Sequence, residues 1–254
     1  MPAATMSVDA GVATITLDDP ERRNAFSVEL TTALLDHLDA AVADDGVRAV
    51  VVTNTGPVFC AGADIGAVTA LADRGIQLSD VFARILDAPK PTLGRIAGHC
   101  FGGGVGLAAA FDISVATTAS TFGFTEARLG VAPAIVSVIC LPKLRRGDAS
   151  ELFLRAHRFP AADAARLGLI NHAVAEHQLD PTVRDVLADV MAGGPHALAA
   201  CKELVRQVPS MPRDDAFRWA SELSQQLFTG EEGREGVAAF REKRPARWVP
   251  QPID

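Results

Sequence analysis

No Gly-x-Ser-x-Gly elbow occurs in the 254 residues, which removes a hydrolase triad built on that turn. His-Glu-x-x-His and the Walker phosphate loop are also missing. The six histidines are scattered, and Cys60, Cys100, Cys140 and Cys201 form neither a CxxC nor a zinc spacing, so no metal site is expected. Positive charge is in deficit: 24 Lys and Arg stand against 31 Asp and Glu, for a net charge of −7. That balance argues against nucleic acid or an anionic membrane as principal partner. The most apolar stretch, Ile96 to Val115, is rich in glycine and broken by His99 and Asp112, so it does not read as a membrane span. Met1–Met6 lacks the basic start and apolar core of a signal peptide; the expectation is a cytoplasmic protein with reduced thiols. Low-complexity tracts and internal repeats are absent as well.

Apolar content is ample, at 48% with a mean hydropathy of +0.18, enough for a large core. Gly11–Asp18 alternates as a half-buried strand. Ser27 can cap a helix reaching about Ala43, with Leu30, Leu34 and Leu38 on one face. Val47–Thr53 has the β-branched run of a strand covered on both sides. Val58–Ile65 is a strand breaking into a small-residue loop; a helix is expected over Ser79–Asp87 and a strand over Pro91–Ala97. Asp112–Ala116 and Ser120–Phe124 read as strands, the second delivering Glu126, and Phe159–Ile170 reads as a short helix leading into a strand. From His196 the pattern is helical only, over 197–207, 214–228 and 232–243. The expectation is an α/β body over residues 1–193 followed by a helical region over 194–254.

The stretch that organises the chain is 97–110. Gly102, Gly103, Gly104 and Gly106 fall within five positions and open an apolar, helix-like segment. Each glycine in a regular element costs about 0.5–1 kcal/mol relative to alanine. Two explanations stand from the stretch alone: bare N–H groups at a helix start facing an anionic oxygen, or tight packing. A dinucleotide reading matches Gly104–Ala109 as Gly-x-Gly-x-x-Ala, with Glu126 downstream, but the segment before Asp112 is too short for a crossover helix and the match lies mid-chain.

Taken together, Arg22-Arg23-Asn24-Ala25-Phe26-Ser27, Phe59–Ile65, Ala97-Gly98 with Gly102–Gly104, Asp112-Ile113, Phe122-Gly123 to Glu126, Leu129-Gly130, Ala164 to Ile170, Glu232-Gly233 and Phe240–Arg244 resemble the enoyl-CoA hydratase/isomerase, or crotonase, superfamily in order and over nearly the whole chain. The resemblance implies a spiral of ββα units with a C-terminal helical region that forms trimers, some paired into hexamers. It implies an acyl-CoA thioester as substrate, coenzyme A being part of that substrate and no separate cofactor being needed. The N–H groups of Ala63 and Gly103 would hold the thioester oxygen as it becomes an enolate. Arg23, Ala25, Ala61, Asp64 and Ile65 would cradle coenzyme A, with Phe240 and Lys243 reaching in from the last helix, in some members of the family from a neighbouring subunit.

The family's usual hydratase uses two glutamates. The second matches Glu126; the first falls on Gly106, which has no side chain. The glycine-rich turn that follows Glu126 in the family is replaced by Ala132-Pro133-Ala134-Ile135-Val136-Ser137. Three activities are therefore compatible with the residues: a hydratase, an isomerase that moves a double bond with Glu126 alone, and a non-catalytic acyl-CoA binder. Burial beside Phe122 and Phe124 is expected to raise the Glu126 pKa.

Overall fold

The structure, a computed structural model, describes residues 2–64 and 66–249, and of Val68 the backbone only. β1 (Ala4–Asp9) and β2 (Val12–Leu17) form an antiparallel hairpin that pairs Ala4 with Leu17 and Asp9 with Val12. Ala13, Ile15 and Leu17 point inward from β2, the period of two that the sequence displays. The Ser27 hydroxyl accepts the Leu30 N–H at 3.1 Å and starts α1 (Val28–Ala43), whose Leu30, Leu34 and Leu38 are buried one turn apart.

From here the chain repeats a ββα unit. β3 (Ala49–Asn54) and β4 (Val58–Cys60) precede α2 (Val68–Asp73) and α3 (Leu78–Asp87). β5 (Thr92–Ile96) and β6 (His99–Phe101) precede α4 (Gly103–Ala110). β7 (Ile113–Thr117) and β8 (Thr121–Gly123) precede α5 (Ala134–Cys140) and α6 (Arg146–Arg155). β9 (Arg158–Pro160), α7 (Ala161–Arg166) and β10 (His172–Val174) follow. In each unit the first strand enters a six-stranded sheet, ordered β1-β2-β3-β5-β7-β10, and the second enters a four-stranded sheet, ordered β4-β6-β8-β9. Every neighbouring pair is parallel except β1-β2 and β8-β9. Because both sheets grow by one strand per unit, β4, β6 and β8 end side by side, and the bends that follow them are neighbours.

All six residues of β3 are buried, the apolar run Ala49–Val52 together with the polar Thr53 and Asn54. The core of this unit is rich in phenylalanine, with Phe59 edge-on to Phe111 at 6.4 Å and Phe122 stacked on Phe159 at 6.1 Å. The expected helix leading into a strand is present as α7 and β10, but β9 takes residues 159 and 160 before α7 begins, because Phe159 pairs with Phe122 across the small sheet.

The remaining helices are α8 (Leu179–Ala192), α9 (Pro195–Gln207), α10 (Arg213–Thr229) and α11 (Glu231–Glu242). Two compact units result: residues 1–88 with 92–184, and residues 89–91 with 185–254. In the second, Glu232 accepts the backbone N–H groups of His196 and Ala197 at the start of α9, at 3.0 and 2.9 Å. Glu235, 8% exposed, accepts from Arg244 Nη1 at 2.7 Å and from the Arg247 backbone N–H at 3.1 Å. No helix among the described residues is long and apolar enough to cross a membrane.

Candidate active site

The first bend follows β4. Ala61 donates its N–H to the Arg23 carbonyl at 3.1 Å, and Phe26 donates to the Gly62 carbonyl at 2.8 Å, which sets Phe26 beside Ala63 in a bridge. Arg23 and Asn24 are both left-handed, at φ 56° and 50°. Asn tolerates that conformation better than most residues, and its side chain adds a clamp. Asn24 Nδ2 donates to the carbonyls of Val58 at 2.8 Å and Thr55 at 3.1 Å, while its Oδ1 accepts the Asp19 N–H at 2.8 Å. The basic loop is thereby fixed to the strand that carries the bend.

The second bend follows β6. Gly102 takes φ 52°, ψ −119°, a conformation open to glycine, and donates its N–H to the Gly123 carbonyl at 2.9 Å. α4 then starts directly against β4: a Cβ on Gly104 would overlap the Cys60 carbonyl. The two bends touch. A Cβ on Gly62 would lie 2.9 Å from the Gly103 nitrogen, and one on Gly103 would lie 3.3 Å from Gly62 Cα. Among the described residues no acceptor is bound to the Ala63 or the Gly103 N–H. At the start of α4 the Gly103 amide also carries the positive end of the helix dipole.

Glu126 begins a short 3-10 turn, Glu126–Leu129, two residues beyond Phe124. Its Oε1 lies 3.2 Å from where a Gly102 Cβ would be, so the carboxyl is packed against the second bend. Its Oε2 is buried with no hydrogen-bond partner among the described residues. Burial in this setting raises the Glu126 pKa above its ordinary value, opposed by a backbone hydrogen bond. Phe122 and Phe124 are fully buried just upstream. Cys60 and Cys140 are pushed up to about 12 by burial, which makes them packing groups rather than nucleophiles.

A cleft of about 600 Å³ opens beside these bends, lined by Arg23, Ala61, Phe101, Thr125, Arg128, Leu129, Ala156 and Arg158. The Arg158 guanidinium lies over the Phe101 ring at 4.8 Å, and Arg128 Nε donates to the Ala156 carbonyl at 2.9 Å. Three arginines on one cleft give an acidic protein a local site for anions. The structure thus brings Arg23, Ala61, Ala63, Gly103 and Glu126 into one neighbourhood. Ala25 and Asp64 lie on the same loops; Asp64 Oδ1 accepts the Gly66 N–H at 3.0 Å. Ile65 lies outside the described residues. Phe240, 85% exposed on α11, and Lys243, left-handed at the end of that helix, belong to the C-terminal unit. Phe101, Arg128 and Arg158 escape a sequence reading. Arg128 sits in the Glu126–Gly130 run and could have been flagged there, whereas only strand pairing across the small sheet brings Arg158 in.

Two bends with open N–H groups, meeting beside a half-buried carboxyl whose Oε2 has no partner among the described residues, form an arrangement that can polarise a carbonyl and move a proton next to it. Comparison with known proteins gives that arrangement a family. The model of the family described as enoyl-CoA hydratase/isomerase matches residues 7–251. A putative enoyl-CoA hydratase of Thermus thermophilus is 35% identical over 245 residues, 93% of this chain and 97% of the relative. The carnitinyl-CoA dehydratase of Citrobacter koseri is 32% identical over 92% of this chain and 93% of its own. The crystal structure of an enoyl-CoA hydratase from Mycobacterium smegmatis superposes with a TM-score of 0.91 at 28% identity, covering 98% of this chain and 99% of that one. The chain belongs to the enoyl-CoA hydratase/isomerase family.

Proposed function

We propose that the protein is an enoyl-CoA hydratase that adds water across the double bond of a 2-enoyl thioester, with coenzyme A as the carrier portion of the substrate and no separate cofactor. The observation that carries this reading is the Glu126 carboxyl packed 3.2 Å from the Gly102 Cβ position, next to the Gly103 amide. In the proposed reaction, the Glu126 carboxylate takes a proton from water as the water oxygen bonds to the β-carbon. The double-bond electrons move toward the thioester oxygen, where the Ala63 and Gly103 N–H groups hold the resulting enolate. The enolate then takes the proton from Glu126 onto the α-carbon, restoring the carboxylate. Each preorganised donor of this kind can lower such a barrier by about 3–4 kcal/mol.

The arginine cleft supports coenzyme A as the carrier, because Arg23, Arg128 and Arg158 suit its phosphates. Arg23, Ala25, Ala61, Asp64 and Ile65 are proposed to line the coenzyme A path. Phe240 and Lys243 are proposed to complete it in a trimer or a dimer of trimers; a phenyl ring left 85% exposed supports a contact outside its own unit. One observation favours a second reading, the double-bond isomerase: Gly106 leaves Glu126 without a second acid. In that reaction Glu126 takes a proton from the α-carbon of a 3-enoyl thioester and returns it to the γ-carbon.

Crotonyl-CoA and a 3-enoyl-CoA separate the readings. Loss of the conjugated-enoyl absorbance with the first reports hydration, and its gain with the second reports isomerisation. The proposal predicts hydration, abolished in E126Q with coenzyme A binding retained. Binding with no turnover of either substrate, or turnover that survives E126Q, overturns it.

A further inference from the structure

Two departures that lie apart in the sequence meet in space. A Cβ built on Gly106 would fall 2.5 Å from Cγ1 of Val136, 3.0 Å from its Cβ and 3.3 Å from Cζ of Phe82. Val136 on α5 is 3% exposed and Phe82 on α3 is 2% exposed, so both are held by their surroundings. Valine within a helix has one strongly preferred χ1, which leaves its methyl no easy way to swing aside. Phe82 meets Phe26 edge-on at 6.2 Å, and Phe26 Cε2 lies 3.2 Å from the Gly103 Cβ position. One apolar wall therefore runs from the Gly103 amide to Gly106, through Phe26, Phe82 and Val136.

We infer that Val136 is a specificity-determining residue: it fills the volume beside Gly106, holds the site to a single carboxylate, and biases the enzyme toward double-bond migration relative to the same site with that wall opened. The inference rests on the reading of Glu126 as the acid–base group. Gly106 and Val136 form one size exchange, in which glycine is required because valine is present. The wall is closed, with Phe26, Phe82 and Val136 each 3% exposed or less, so a side chain at position 106 large enough to carry a second acid, or a water bound by it, has no room there. Water addition then depends on Glu126 for both of its proton transfers, whereas migration needs only the one shuttling group.

A double-variant cycle on the full chain tests the exchange without relying on activity. G106A is expected to lower the melting temperature by about 4–8 °C, the cost of overpacking a closed site. V136A also lowers it, and G106A/V136A loses less than the sum, since the new methyl enters space the valine left. The activity arm compares G106E/V136G with wild type on 2-enoyl and 3-enoyl thioesters. Its ratio of hydration to isomerisation is expected to rise at least tenfold, while G106E alone, lacking room, is strongly destabilised. A G106A protein as stable as wild type, additive losses in the cycle, or an unchanged ratio in a folded G106E/V136G protein overturns the inference. Failure of the underlying reading shows separately, as turnover surviving E126Q while the stability cycle stays coupled.

Discussion

Glu126 is a carboxyl held against its own preference. Its Oε2 is buried and unpaired among the described residues, and burial raises its pKa above the ordinary 4.5. The folded protein therefore binds this proton more tightly than the unfolded chain. Stability linked to Glu126 is fully present below about pH 4.5 and declines as pH rises through the folded-state value. E126Q carries no such charge. Its melting temperature is expected to exceed wild type by about 2 °C at pH 7 and to converge with it below pH 4, read from thermal melts across pH. A constant difference at every pH would show that the carboxyl is not desolvated. Glu126 is legible in the sequence from its place after Phe122-Gly123-Phe124. The environment that tunes it is not, because the bend at Gly102 and the 3-10 turn at Glu126–Leu129 meet only in three dimensions.

Among the elements, α4 depends most on residue size. It is buried along its whole length and lies directly on β4, where Gly104 faces the Cys60 carbonyl. Backbone stands on both sides of that contact, so neither can yield cheaply. G104A is expected to lower the melting temperature by about 10 °C, or to prevent folding, measured by circular dichroism. Of the two explanations that the sequence leaves open, close packing accounts for Gly104 and Gly106, while Gly102 and Gly103 shape the bend whose N–H is proposed to hold an oxyanion. Helix α11 responds to acid instead. The Arg244 guanidinium beside Glu235, helped by the Arg247 N–H, holds that carboxyl down to about 2, against an ordinary 4.5. Its contribution is complete above about pH 4.5 and is lost as pH falls toward 2. Helical signal should fall over that interval in wild type, and E235Q should flatten the dependence while lowering stability at neutral pH.

Elements with a clear apolar period were readable in advance, as β2, β3 and α1 show. Some of those missed lack one: β1 buries only Ala4 fully, and α6 buries only Ala149 and Leu152. α5 opens within Ala132–Ser137, which the sequence shows only as the replacement of a glycine-rich turn, and α8 escapes although Leu179, Val183 and Met191 are buried at helical spacing. The replacement at 132–137 and the glycine at 106 read as two separate departures. What joins them, the packing of Val136 against Gly106, is a tertiary contact without a local signal.

For the whole molecule, the alternation of successive strands between two sheets explains why residues from three separate units share one site. β4, β6 and β8 end together, so each can present a bend or an acid to the same point. The central claim is that Ala63 and Gly103 steady an enolate while Glu126 moves its proton. Solvent exchange at the α-carbon tests it most directly, because enolisation is common to hydration and isomerisation. A saturated acyl-CoA incubated with the protein in D2O, followed by proton NMR, should lose its α-proton signal with wild type and retain it with E126Q. Exchange that persists in E126Q, or its absence in folded wild type that binds the thioester, would contradict the account.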